Sequence, residues 1–148
     1  DENLIEWFIN SVSDEINNLF PFKNLKRFQD KSGNVSYQVK TKNRFFKIFV
    51  GNLLKEQNYI QNTIPKVHAI YQDPFSPKKN SELWTKEWFE FLKTISSEDV
   101  ILSTYSASHQ IKINLKEAGW HVYPCAGFGT KRSSTRATLK NGVYHVPT

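Results

Sequence analysis

Methionine is absent from the 148 residues and cysteine occurs once, as Cys125. A single cysteine excludes a disulfide framework and a cysteine zinc site, and a reducing, cytoplasmic setting is the simplest expectation. The four histidines, His68, His109, His121 and His145, lack metal-ligand spacing, so no metal is expected. No apolar run approaches the ~20 residues of a membrane span and no secretory signal is visible, so no membrane partner is expected. Internal repeats and low-complexity tracts are missing, and nothing marks a second domain; residues 1–148 read as one domain. A chain that opens on Asp1 without any methionine reads as a fragment or a processed chain.

What is abundant is aromatic and basic. There are 11 Phe, 6 Tyr and 4 Trp, and 39% of residues are hydrophobic, enough for a globular core. The net charge of +6 is unevenly spread. Residues 1–20 hold five acids and no Lys or Arg, whereas 21–60 hold nine basic and two acidic side chains. From Cys125 onward Lys131, Arg132, Arg136 and Lys140 face no acid at all. Clustered positive charge suits a polyanionic partner, though a generally lysine-rich surface would read the same way.

Apolar spacing predicts one helix over 3–20, stopped by Pro21, then a basic connector and two strands, 36–40 and 44–50. A helix follows over about 53–62. The run VHAIYQ (67–72) is short and apolar, as a central parallel strand should be. Trp84, Trp88, Leu92 and Ile95 share one face of the next helix, which Ser81 or Thr85 can cap. The strand 100–106 leads into a helix capped by Ser106 or Ser108 and closed by Gly119. After the strand 120–125, the tail RATLK-NG-VYHV has the signature of a hairpin turning at Asn141-Gly142. Alternating strands and helices give an α/β fold with a mainly parallel sheet and a C-terminal antiparallel hairpin.

In open parallel sheets, ligands gather beyond the carboxyl ends of the strands. That places Gly51-Asn52, the segment Asp73 to Asn80 and the segment Thr104 to Ser108 around one site. Asp73 is the sole acid between Glu56 and Glu82. A carboxylate there can orient or deprotonate an amine, or it can simply form an Asx turn before Pro74. Pro74 and Pro77 make the loop rigid, and Phe75 between them either stacks on a base or packs into the core. Lys78 and Lys79 are an ordinary solvated pair unless they join Lys131 and Arg132 at one rim, where phosphate contact follows. GFGTKR (127–132) lacks the spacing of a phosphate-binding loop and reads as a turn.

Taken together, DPFSPKKN-x-x-LW, LSTYSAS, LKEAGW and GFGTKR resemble the methyltransferase domain of the MnmC family, in collinear order over roughly residues 44–139. Pro74, Ser81 and Trp120 depart from the family's usual Gly, Pro and Phe. The resemblance implies a Rossmann-like fold, S-adenosyl-L-methionine as co-substrate, and tRNA as partner. It implies methylation of the 5-aminomethyl group on the wobble (2-thio)uridine. On that reading Asp73 is catalytic, and Gly51, Asn52, Asp73 and Pro74 lie on the cofactor side. Phe75, Ser76, Pro77, Lys78, Asn80, Tyr105 and Phe128 line the uridine side, with Lys131 and Arg132 facing tRNA. Asn52 stands where the family usually has Asp and can still accept from an adenine amine through its carbonyl oxygen. The glycine-rich cofactor loop and acidic ribose-binding residue of the superfamily are not found in these residues, nor is the flavin domain of some members. The expectation is therefore an N-terminally truncated fold that binds S-adenosylmethionine poorly by itself. Two other functions fit the same residues: a methyltransferase of another amine, and a non-catalytic RNA-binding relative.

Overall fold

A computed structural model of the chain describes residues 1–126 and 133–142. It falls into two compact units, Asp1–Glu56 and Gln57–Thr148. The physical reason is that the aromatic residues of the first 56 positions close a core among their own elements.

In the first unit, the helical pattern of 3–20 divides into α1 (Glu2–Ser11) and α2 (Asp14–Leu19). Val12 leaves the helix with an extended backbone, and the Ser13 hydroxyl caps α2 by accepting from Ile16 N at 3.3 Å. A good cap thus outcompetes continuous apolar spacing. β1 (Lys26–Gln29), β2 (Val35–Lys40) and β3 (Phe45–Val50) form an antiparallel sheet in that order. β1 falls in the basic stretch expected to be a connector. Its four residues are all exposed, which is how a short charged edge strand is written. Ile5, Leu25, Tyr37 and Val39 are the buried centre, with Phe8, Phe20, Phe22 and Phe46 packed against them. The rings of Phe22 and Phe46 meet edge-on at 5.1 Å.

One ion pair ties α1 to this sheet. Arg27 donates to the Glu2 carboxylate from Nε at 2.6 Å, and the Tyr37 hydroxyl donates to it at 3.0 Å. The Arg27 hydrogen bond, followed by that from Tyr37, holds the Glu2 carboxyl below its ordinary value of 4.5. A folded-state value below the unfolded one means stability that is present above the ordinary carboxylate range and lost as pH falls through the lowered value. Glu2→Gln should therefore flatten the fall in melting temperature between about pH 5 and 3, read by circular dichroism at several pH values.

The second unit contains α3 (Gln57–Thr63), β4 (Val67–Tyr71), α4 (Lys86–Ile95), β5 (Ser96–Thr104), α5 (His109–Glu117), β6 (His121–Ala126) and β7 (Ser133–Thr138). The sheet order is β4-β5-β7-β6. β4 and β5 pair in parallel, while β7 pairs antiparallel with both β5 and β6. Three strands therefore share a direction and β7 runs against them. The sheet is mixed and keeps the expected α/β class, with two differences of detail. The reversed strand is inserted between β5 and β6 rather than appended at the end, and most of the described hydrogen-bonded pairs are antiparallel. VHAIY stands at the edge of the described sheet rather than at its centre, since an apolar run does not reveal whether both edges are paired. Asn141-Gly142 does form a turn, with Gly142 at φ +78, but the second strand of the expected hairpin lies outside the described residues.

The caps fall close to where the sequence puts them. Thr85 accepts from Trp88 N at 3.2 Å and starts α4. At the end of α5, Gly119 adopts φ +86, and its N–H and that of Trp120 return to the carbonyls of Lys116 and Leu115. The positive φ is what calls for glycine at 119, since the one atom a Cβ would crowd, Lys93 Nζ at 2.9 Å, ends a flexible side chain that can move aside. Phe89, Val100, Leu102, Leu115 and Ala137 are the fully enclosed apolar residues of this unit. The buried hydroxyl of Thr135 on β7 donates to Ser106 O at 2.7 Å, fixing the turn after β5.

Candidate functional site

β4 ends at Tyr71, and the next residue alone continues the ladder: Gln72 N donates to Ser103 O at 2.9 Å. The Gln72 side chain turns inward and is 5% exposed. Its amide nitrogen donates to Leu83 O at 2.7 Å, and its amide oxygen accepts from Trp88 Nε1 at 3.3 Å. One buried amide thus joins the strand end to the segment 81–84 and to α4. Gln72→Leu leaves a carbonyl and an indole N–H without partners, and should cost about 2–4 kcal/mol in urea unfolding.

Asp73 follows and faces solvent. Its carboxylate makes no hydrogen bond among the described residues, so it is not the acceptor of an Asx turn. The loop beyond it is held from outside. Tyr105 Oη donates to Pro74 O at 3.2 Å, and Trp84 Nε1 donates to Phe75 O at 2.9 Å. Trp84 and Tyr105 also meet edge-on at 6.1 Å. Ser76 O accepts from the backbone N–H groups of Lys79 and Asn80, closing a turn around Pro77. Two prolines and these tethers leave the loop few conformations.

Asp73, Pro74, Phe75, Ser76, Asn80 and Tyr105 line an open cleft of about 620 Å³. That volume lies within the range of ~300–1,000 Å³ usual for small-molecule sites. Phe75 is 76% exposed, so its ring is not part of the core and its flat face is available to a ligand. The cleft therefore combines a carboxylate without a hydrogen-bond partner among the described residues, an exposed aromatic ring and a rigid backbone. Such a set can accept hydrogen bonds from an amine and stack on a planar ring.

The other expected site residues fall elsewhere. Lys78 and Lys79 are exposed on the same loop, and Pro77 is half-buried behind it; none of the three lines the cleft. Gly51 and Asn52 belong to the first unit. The Asn52 carbonyl oxygen accepts from Leu54 N at 3.0 Å and from Lys55 N at 3.4 Å, so it already serves as a local cap. Phe128, Lys131 and Arg132 lie outside the described residues. Gln72, Trp84 and Trp88 were not singled out from sequence as site residues. The available signal was a lone amide between an apolar strand and Asp73, with Trp84 and Trp88 downstream. Among the described residues, no three His, Cys, Asp or Glu side chains converge as metal ligands would. No described helix is long and apolar enough to cross a membrane.

A family profile described as S-adenosyl-L-methionine-dependent methyltransferase matches residues 15–140. The chain is 42% identical over 71 residues to the tRNA 5-methylaminomethyl-2-thiouridine biosynthesis bifunctional protein MnmC of Ralstonia nicotianae, covering 48% of this chain and 11% of that protein. The protein of the same description from Leptospira interrogans is 34% identical over 87 residues, or 59% of this chain and 13% of its own. Among solved structures, MNMC2 from Aquifex aeolicus superposes with a TM-score of 0.64 at 30% identity, over 75% of this chain and 35% of that one. The matches thus span only about a tenth of the length of the curated relatives. The family profile and the solved structure cover most of this chain and support a Rossmann-like α/β fold. The chain belongs to the S-adenosyl-L-methionine-dependent methyltransferase family and carries an MnmC-like methyltransferase domain.

Proposed function

We propose that the Asp73 cleft is the substrate side of an N-methyltransferase acting on tRNA, with the 5-aminomethyl group of a wobble (2-thio)uridine as acceptor. The observation that carries this reading is the exposed carboxylate of Asp73 beside the exposed ring of Phe75, on a loop fixed by Gln72, Trp84 and Tyr105. The similarity to proteins described as acting in tRNA 5-methylaminomethyl-2-thiouridine biosynthesis supports the choice of acceptor.

When bound, S-adenosylmethionine supplies an electrophilic methyl group on a sulfonium sulfur. Asp73 accepts a hydrogen bond from the primary amine, so that the nitrogen lone pair points at that methyl carbon. The new C–N bond forms as the C–S bond breaks, and the proton released from nitrogen passes to Asp73 or to water. Phe75 stacks on the pyrimidine, while Ser76, Asn80 and Tyr105 border its edge. Pro74 borders the cofactor side with Asp73. Lys78, Lys131 and Arg132 contact tRNA phosphates. The work is done in the cytoplasm.

The test is methyl transfer in vitro from labelled S-adenosylmethionine to two tRNA preparations, with and without the primary aminomethyl group. Label should enter only the first. Equal labelling of both, or labelling of a protein amine instead, would overturn the assignment.

A further inference from the structure

We propose that the outward face of the sheet β1-β2-β3 is a binding platform for single-stranded nucleic acid. The inference concerns the first unit alone and does not rest on the reading of the Asp73 cleft.

Register decides which side chains share this face. Lys26 stands opposite Gln38, and Gln38 opposite Lys47; Lys40 stands opposite Phe45, and Phe28 opposite Ser36. Partners across a ladder, and residues two apart along a strand, lie on the same side. The alternate set, Tyr37, Val39, Phe46 and Ile48, belongs to the core with Ile5 and Leu25. The sheet therefore turns one face inward and presents lysine and phenylalanine on the other. An ordinary solvated face has no reason to display two large rings. Phe28 is 50% exposed and Phe45 is 59% exposed.

Both rings line one open groove of about 750 Å³, together with Lys23, Lys26, Gln38 and Lys40. Lys23 is paired with Asp14 at 2.6 Å, so the groove's positive charge without an ion-pair partner among the described residues comes from Lys26 and Lys40. Beside it, Lys47 Nζ sits 4.4 Å over the ring of Phe49. Among the described residues, no acid lines the groove. Cations track a phosphate backbone, and aromatic faces take unstacked bases, which a duplex does not offer. An apolar partner would leave the lysines without function, and a merely anionic one would leave the rings without function.

The test is fluorescence anisotropy of the full chain with a labelled 12-mer oligouridine, a duplex of equal length, and vesicles containing phosphatidylserine. The single strand should bind tighter than the duplex. Phe28→Ala/Phe45→Ala should weaken it by about 30-fold or more, each stacked base being worth a factor of ~5 or more. Lys26→Gln/Lys40→Gln should instead reduce the slope of log affinity against log salt by about 1.4, at ~0.7 per phosphate contact on a single strand. The four residues are exposed, and circular dichroism of each variant checks the fold. Unchanged affinity in the phenylalanine variant, an unchanged salt slope in the lysine variant, or ring-dependent capture of vesicles without oligonucleotide binding would each overturn the platform. Failure of methyl transfer with retained anisotropy would sink the cleft reading alone.

Discussion

Asp73→Ala, assayed in the protein as the cell makes it, lowers the rate of methyl transfer by about 100-fold to 10,000-fold, the range over which a positioned acid or base acts. The same substitution leaves the melting temperature within about 2 °C, because Asp73 is exposed and holds no structural hydrogen bond among the described residues. The two readouts must separate. A turn-forming aspartate would lose stability before it lost rate, whereas a group that touches the reacting amine does the reverse. Asp73→Asn sharpens the comparison, since it keeps the shape and most hydrogen-bond acceptance but not the charge. If the carboxylate receives the amine proton, Asn restores little of the rate. Near-wild-type turnover in either variant would remove Asp73 from the chemistry.

The largest loss of stability is expected in the core of the second unit. Phe89 on α4 has no exposed surface, and its neighbours along the helix, Trp88 and Leu92, are buried beside it. Phe89→Ala removes most of a ring from a close-packed interior that relaxes only in part, so about 3–5 kcal/mol is lost. The Phe89 carbonyl, which accepts from Trp120 Nε1 at 3.0 Å, is backbone and survives the change. The loss is therefore one of packing, and Phe89→Leu should recover much of it. Urea unfolding followed by tryptophan fluorescence measures both. A change below about 1 kcal/mol for the alanine variant would mean that α4 is not the centre of this core.

Local chemistry was the part of this protein that its sequence exposed best. Asp73 between an apolar strand and a proline pair could be placed at a strand end from composition alone, and Thr85 and Gly119 marked helix ends where caps are found. Each of those signals depends on a few adjacent residues. The misreadings came where a distant partner or a competing local term decides. Apolar spacing ran unbroken from Ile5 to Leu19, yet Ser13 caps a second helix within it. The strand KRFQ was hidden by its charge, as edge strands are. The insertion of β7 between β5 and β6 is a long-range choice that no window of residues contains. Gln72 was invisible for the same reason, since its role appears only when Leu83 O and Trp88 Nε1 arrive from later in the chain. The division at Glu56 likewise follows from which aromatic residues find each other.

The resemblance to the MnmC methyltransferase domain rested on motifs from 44 to 139, and the family match extends over 15–140. The added stretch is the one that builds β1 and β2, so the lysine-phenylalanine face belongs to the matched region.

Mass spectrometry of wobble nucleosides tests the central claim most directly. The tRNA from a strain lacking the gene is compared with tRNA from the same strain carrying either the wild-type gene or the Asp73→Ala variant. The account predicts that unmethylated 5-aminomethyl(2-thio)uridine accumulates in the deletion strain and with the variant, and that the wild-type gene converts it to the methylaminomethyl form. An unchanged nucleoside profile in the deletion strain, or full conversion by the variant, would contradict it.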